Sequence, residues 1–250
     1  MQPYLTLVRR EMGAYFLSMT GYIIVATVTF LLGLSFVVLL MKLQQESTPI
    51  PLTELFYVTQ FFWLILLLAT PMITMRLFAQ EKFSGTFETL MTTPVSELEV
   101  VLAKFTAGLL FYIVAWLPLL ACLLIVRHFA NDATAFDPGV VASTFLGIIL
   151  IGALFVSLGC CASALTRSQV AAAMITLLCG GTIFCIGVLA DRFPNQPNWQ
   201  AQVLACLAIF EQMHDFARGV VDTRPVVLYV SLTLFFLFVT LRIVESRRWK

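Results

Sequence analysis

Apolar residues in this chain gather into long runs, with polar residues confined between them. That pattern belongs to helices crossing a bilayer, not to amphipathic helices around a water-exposed core. The runs cover 15–41, 55–75, 105–126, 139–165, 168–190 and 225–241. Each is near or above the ~17 residues that a helix needs to cross hydrocarbon, which predicts six transmembrane helices. Pro71 and Pro118 fall inside the second and third, where they are expected to kink the helix without ending it.

The polar stretches between the runs carry patterns of their own. Segment 80–99 holds four of the chain's fourteen acidic residues, Glu81, Glu88, Glu97 and Glu99, together with Lys82, and Lys104 closes it. Its apolar positions Phe83, Phe87, Leu90 and Met91 recur at i, i+4, i+7 and i+8, one face of a short helix. Ser84 or Thr86 is placed to cap its start, and Pro94 forbids its continuation. Ser96-x-x-Glu99 fits a capping box that starts a second helix. The expectation is two helices joined by a sharp turn at a membrane surface.

Residues 1–14 place Leu5, Val8 and Met12 at spacings that share a helical face, beside Arg9, Arg10 and Glu11. They read as an amphipathic helix along the cytoplasmic surface or as the start of the first span. In 191–224, a turn-forming stretch from Arg192 to Pro197 precedes two apolar faces. Trp199, Val203, Cys206, Leu207 and Phe210 form one; Met213, Phe216, Ala217 and Val220 form the other, with His214, Asp215 and Arg218 off it. Two short helices dipping into the outer leaflet would bury both. Gly152, Ala153, Ser157, Gly159, Cys161 and Ser163 make a small-residue surface on the fourth span. Close helix packing in the bundle or a moving, dimeric contact fits it.

Composition agrees with the pattern. Hydrophobic residues make up 60% of the chain and charged ones 12%, about half the ~25% of soluble domains. A net charge of +1 gives no case for nucleic acid. With the N-terminus inside, the inner set is Arg9, Arg10, Arg76, Lys82, Lys104, Arg167, Arg242, Arg247, Arg248 and Lys250. The outer set is Lys42, Arg127, Arg192, Arg218 and Arg224. This asymmetry places both termini and the 76–104 segment in the cytoplasm.

Candidate chemistry is sparse. The sequence has no Gly-x-x-x-x-Gly-Lys-Ser/Thr run to cradle a nucleotide, so it does not read as an enzyme or hold a cofactor. No ionisable group lies near the middle of a span, which argues against a proton- or ion-coupled pump. Cys122, Cys160, Cys161, Cys179, Cys185 and Cys206 lack C-x-x-C spacing, and no metal site is indicated. His128 and His214 sit in or beside outer loops. Thr70, Ser157 and Thr176 are the sparse candidates for a polar lining, which favours a lipidic or amphipathic substrate. A polytopic chain without its own energy source reads as a translocation subunit driven from outside. The alternative is a membrane scaffold that couples an ATPase mechanically to a partner protein.

Three runs carry a family resemblance. Residues 71–76 with Glu81, Lys82, Ser84, Gly85, Thr86, Glu88, Leu90 and 94–96 form the first. Phe216 to Arg224 and Ser163 to Thr166 form the others. Together they resemble ABC-2 type transporter permeases, most closely the gliding-motility-associated branch. The resemblance implies an all-α membrane domain over 1–250, like a type V ABC exporter. It would have an N-terminal elbow helix (1–14), a cytoplasmic coupling segment (80–99) and an outer re-entrant segment (191–224). It implies that Glu81, Phe83, Gly85, Thr86, Phe87, Glu88 and Leu90 couple to an ATPase, with Gly85 allowing close approach and Glu81 and Glu88 offering charge. Trp199, Phe210, Phe216 and Arg218 would belong to an outer lid. It further implies a bacterial inner-membrane location, a second permease subunit, a separately encoded ABC ATPase binding ATP and magnesium, and an auxiliary membrane protein with a large extracytoplasmic domain.

Overall fold

The computed structural model describes residues 2–45, 52–57, 59–86, 95–130, 137–192 and 208–248. The described residues form α1 (Gln2–Phe16), α2 (Met19–Gln45), α3 (Leu52–Tyr57), α4 (Gln60–Thr74) and α5 (Ala79–Ser84). They continue with α6 (Glu97–Ala130), α7 (Pro138–Leu165), α8 (Gln169–Arg192), α9 (Ile209–Ala217) and α10 (Thr223–Arg248). Six stretches are long and apolar enough to cross a membrane: Met19–Met41, Gln60–Ser84, Glu97–His128, Pro138–Leu165, Gln169–Leu189 and Thr223–Ser246.

The helix ends follow local chemistry. Asp137 accepts a hydrogen bond from the Gly139 amide at 2.8 Å, and Pro138 takes the first turn of α7, where a missing N–H costs nothing. Ser96 and Glu99 form the expected capping box at α6. The Ser96 amide donates to Glu99 Oε2 at 3.2 Å, and the Glu99 amide to Ser96 Oγ at 3.3 Å, so two orphan amides are satisfied reciprocally. α1, Gln2–Phe16, is a helix separate from the first candidate span. The chain breaks at Leu17–Ser18 so tightly that a Cβ on Gly21 would stand 2.1 Å from the Tyr15 carbonyl oxygen. α4 continues for one turn beyond Pro71, and α6 runs through Pro118.

One helix is the hub. In α7, 72% of the most apolar window is buried, against 22–33% for the spans that start at Met19, Glu97, Gln169 and Thr223. Its small residues are notches for neighbours' side chains. A Cβ on Gly152 would lie 2.1 Å from the Tyr112 ring of α6, and one on Gly159 would lie 2.1 Å from Thr74 Oγ1 of α4. Packing within the bundle therefore accounts for these two positions, because close backbone approach supplies the van der Waals contact that drives helix association in lipid. Thr70, Ser157 and Thr176 do not line an open path in this structure. All three are buried, and their hydroxyls donate to carbonyls of their own helices, Leu66, Leu154 and Ala172. Helical hydroxyls take this route when no other acceptor is near.

Candidate functional site: two ends of the bundle

The first candidate site joins α1, α5 and α6 at one end of the bundle, the charged end. Lys104 projects from α6 among apolar neighbours with its side chain only 2% exposed. Its ammonium lies 2.9 Å from Glu81 of α5 and 3.1 Å from Glu11 of α1. Arg10 closes the group, 2.7 Å from Glu11 and 3.2 Å from Glu81. Two carboxylates and two cations cancel, the condition under which charges tolerate burial. Burial alone would push the Glu11 carboxyl upward. The Lys104 charge, the hydrogen bonds from Arg10 and Lys104, and the Arg10 charge outweigh it, so its pKa lies below the ordinary carboxylate value. Arg10 shifts the opposite way: burial opposes its charge, but the Glu11 hydrogen bond and the Glu11 and Glu81 charges raise its pKa.

Further bonds fix α5 against the hub. Ser163 Oγ of α7 accepts from the Phe78 and Ala79 amides, each at 3.0 Å, and Lys82 donates to the Ala164 carbonyl. Those amides begin a helix and would otherwise lack acceptors. This gives the 163–164 pair a physical role. Tyr15 of α1 stacks on Phe111 at 4.6 Å between centroids and donates to the Ile73 carbonyl at 2.9 Å, satisfying an orphan acceptor at the end of α4.

The expected helix through Phe83 and Phe87 is interrupted between them. α5 ends at Ser84, and Gly85 adopts φ +75°, the left-handed conformation in which glycine terminates helices. Ser84 closes α5, and after the Gly85 turn Thr86 is helical again at the edge of the described residues. Across that turn the Ser84 and Thr86 hydroxyls hydrogen-bond each other at 2.8 Å. Phe83 points outward, 81% exposed. Glu81 turns its charge inward to Lys104 and Arg10. Phe87, Glu88 and Leu90 lie outside the described residues. Glu11 escaped the sequence reading as a site residue. The available signal was Lys104 itself, a lysine set among Val100, Val101, Ala103 and Ala107, whose burial demands a carboxylate partner.

The second candidate site is α9, at the opposite end. It buries Ile209, Met213, Phe216 and Ala217. Its terminal carbonyls are taken by hydroxyls from two other helices: Ser143 donates to Phe216 O at 2.7 Å and Thr53 to Ala217 O at 2.8 Å. Phe210 packs against Trp63 at 4.3 Å and Phe184 at 5.0 Å, so it belongs to this helix and not to the stretch before it. Val220 is exposed, because Gly219 at φ +89° turns the chain before that residue can join the buried face. Arg218 is exposed, and its amide closes the helix on His214 O and Asp215 O at 3.1 Å. Trp199 lies outside the described residues.

Six candidate spans around a buried hub, a charge junction at one end and a clamped short helix at the other define a polytopic helical membrane protein of the permease kind. The family described as "ABC-2 family transporter protein" matches residues 60–218, from α4 through α9. That is more than half of the chain, and the chain belongs to this family as a transmembrane permease. The matched region contains Glu81 and Lys104 but not Arg10 or Glu11. No curated protein matches the chain.

Proposed function

We propose that this chain is the membrane-spanning subunit of an ATP-binding cassette transporter and that it receives mechanical work at its charged end. Two such subunits would pair, each engaging a separately encoded ATPase that binds ATP and magnesium. The observation that carries this reading is the Glu81–Lys104–Glu11 junction. A push on α5 reaches α1 and α6 through ion pairs instead of being lost in a loose loop. Phe83, with Gly85 and Thr86 beside it, is the exposed contact offered to the ATPase, and Phe87, Glu88 and Leu90 extend that contact. The charged end is cytoplasmic, as the lysine and arginine asymmetry directs, and the membrane is the bacterial inner membrane. α1 is the elbow helix. α9, with Phe210, Phe216 and Arg218, and with Trp199 from the preceding stretch, forms the outer lid. A lipidic or amphipathic cargo suits spans whose interior hydroxyls close on their own carbonyls. The 216–224 run resembles the gliding-motility-associated branch, and membership of that branch would bring an auxiliary extracytoplasmic partner; the family match itself extends to ABC-2 transporters in general.

The test uses the ATPase that co-purifies with the chain from its native membrane. Phe83→Asp places a charge where an apolar anchor docks, and the loss of one central anchor weakens an interface by about tenfold or more. Co-purification should fall by that factor while the chain's own elution profile stays unchanged, since Phe83 is exposed. Undiminished association would overturn the coupling assignment. If the intact assembly turned over ATP without moving labelled lipid between leaflets, the mechanical scaffold would replace the transporter.

A further inference from the structure

A cavity of about 270 Å³ opens where α1 breaks into α2, lined by Glu11, Ala14, Leu17, Ser18, Arg76 and Gln80 among others. Its charge is unbalanced. Arg10 and Lys104 cancel Glu11 and Glu81, whereas Arg76 pairs with no carboxylate among the described residues. Arg76 instead donates to Ser18 Oγ at 2.8 Å, to Thr20 Oγ1, and to Gln80 Oε1 at 3.0 Å. Neutral acceptors orient a guanidinium without cancelling its charge. The Glu11 carboxylate on the wall does not oppose an anion, because Lys104 and Arg10 already hold it.

One lip of the cavity is apolar: Leu17 lines it, with Met19 two residues further along the chain. Leu17 is 88% exposed and Met19 83%, and Met19 begins the first candidate span. A cationic floor beneath an oily lip, at the level where the chain enters the bilayer, matches a ligand with an anionic group and long chains. The volume lies just below the ~300–1,000 Å³ of sites that enclose whole drug-sized ligands. A headgroup fits inside while its chains remain in lipid.

We propose that this cavity binds the phosphate group of a membrane phospholipid, with Arg76 offering Nη2, the guanidinium nitrogen that Ser18, Thr20 and Gln80 leave unused, and Ser18 its hydroxyl. The bound lipid would pin the α1–α2 break to the bilayer surface. The inference rests on the cavity and not on what the transporter carries, and its test requires neither ATP nor the ATPase.

Native mass spectrometry of the detergent-purified chain reads it directly, with three probes: phosphatidylglycerol, diacylglycerol with the same chains, and inorganic phosphate. Phosphatidylglycerol should be retained, and Arg76→Gln should lower its retention by about tenfold, the size of losing one charge-assisted contact. Ala14→Phe fills the cavity from α1 and leaves the Arg76 hydrogen bonds in place, so it should also lower retention. It decides the matter alone if Arg76→Gln fails to fold. Equal retention of diacylglycerol, or undiminished phosphatidylglycerol on both variants, would overturn the proposal. Displacement of phosphatidylglycerol by an equal concentration of inorganic phosphate would overturn the lipid as the source of the phosphate.

Discussion

Lys104→Met is expected to destabilise the protein by about 3–5 kcal/mol, the usual cost of removing one partner from a buried ion pair. Methionine keeps the length and packing of the lysine stem against Phe78, whose ring lies 5.4 Å from the ammonium. It removes only the charge. Glu11 and Glu81 would then face each other with Arg10 as their one remaining cation, and the Arg10 side chain is 51% exposed. Glu81 Oε2 is already buried without a hydrogen-bond partner among the described residues, so this carboxylate would be left with the half-exposed Arg10 alone, at 3.2 Å from Oε1. Thermal unfolding of the detergent-purified chain measures the loss. Adding Glu81→Gln to Lys104→Met should recover much of it, because the repulsion and one uncompensated charge disappear together. Lys104→Met alone should also loosen α1, giving earlier proteolysis within residues 2–16. A variant as stable as wild type would show that the junction does not bind the three helices.

Gly152→Ala is expected to lower stability by about 2 kcal/mol. The new Cβ would lie 2.1 Å from Tyr112 Cε1, and the ring has nowhere to go. Tyr112 is fully buried, its hydroxyl reaches Ile148 O at 3.4 Å, and Trp116 stands 6.1 Å away between ring centroids. Overpacking of this kind costs ~1–3 kcal/mol. A clash this deep sits at the top of that range, and the ~1 kcal/mol alanine gains in helix propensity offsets only part of it. Gly181→Ala is the control: a Cβ there meets nothing within 4 Å, so propensity alone acts and the protein should be unharmed. Combining Gly152→Ala with Tyr112→Leu should relieve the clash. The comparison separates α7 as a packed hub from α7 as a merely apolar span.

How much was legible in the sequence depends on the range of the interaction. Spans are set by runs of side chains that must avoid water, a local property, and six were read from the runs alone. The Ser96–Glu99 box was equally local. The end of α5 was not, because the spacing of Phe83, Phe87, Leu90 and Met91 continues smoothly across Gly85. Periodicity carries no trace of a positive φ. Phe210 and Val220 show the same limit, since each satisfies a helical spacing on the wrong side of a helix boundary. The junction was half legible. Lys104 and Glu81 were singled out, but Glu11 lies 93 positions from Lys104, and only the packing of α1 on α6 brings them together. The small residues of α7 were recognised as a contact surface, whereas the particular ring or hydroxyl that fills each notch is a tertiary fact.

The most direct measurement concerns which side of the membrane holds the charged end. Phe83→Cys, in a chain whose native cysteines are replaced, puts a thiol at an exposed position on α5. A membrane-impermeant maleimide is then applied to sealed right-side-out and inverted vesicles. The account predicts labelling in the inverted vesicles, with right-side-out vesicles reacting only after permeabilisation. Labelling of intact right-side-out vesicles would contradict it, because no cytoplasmic ATPase could then press on α5.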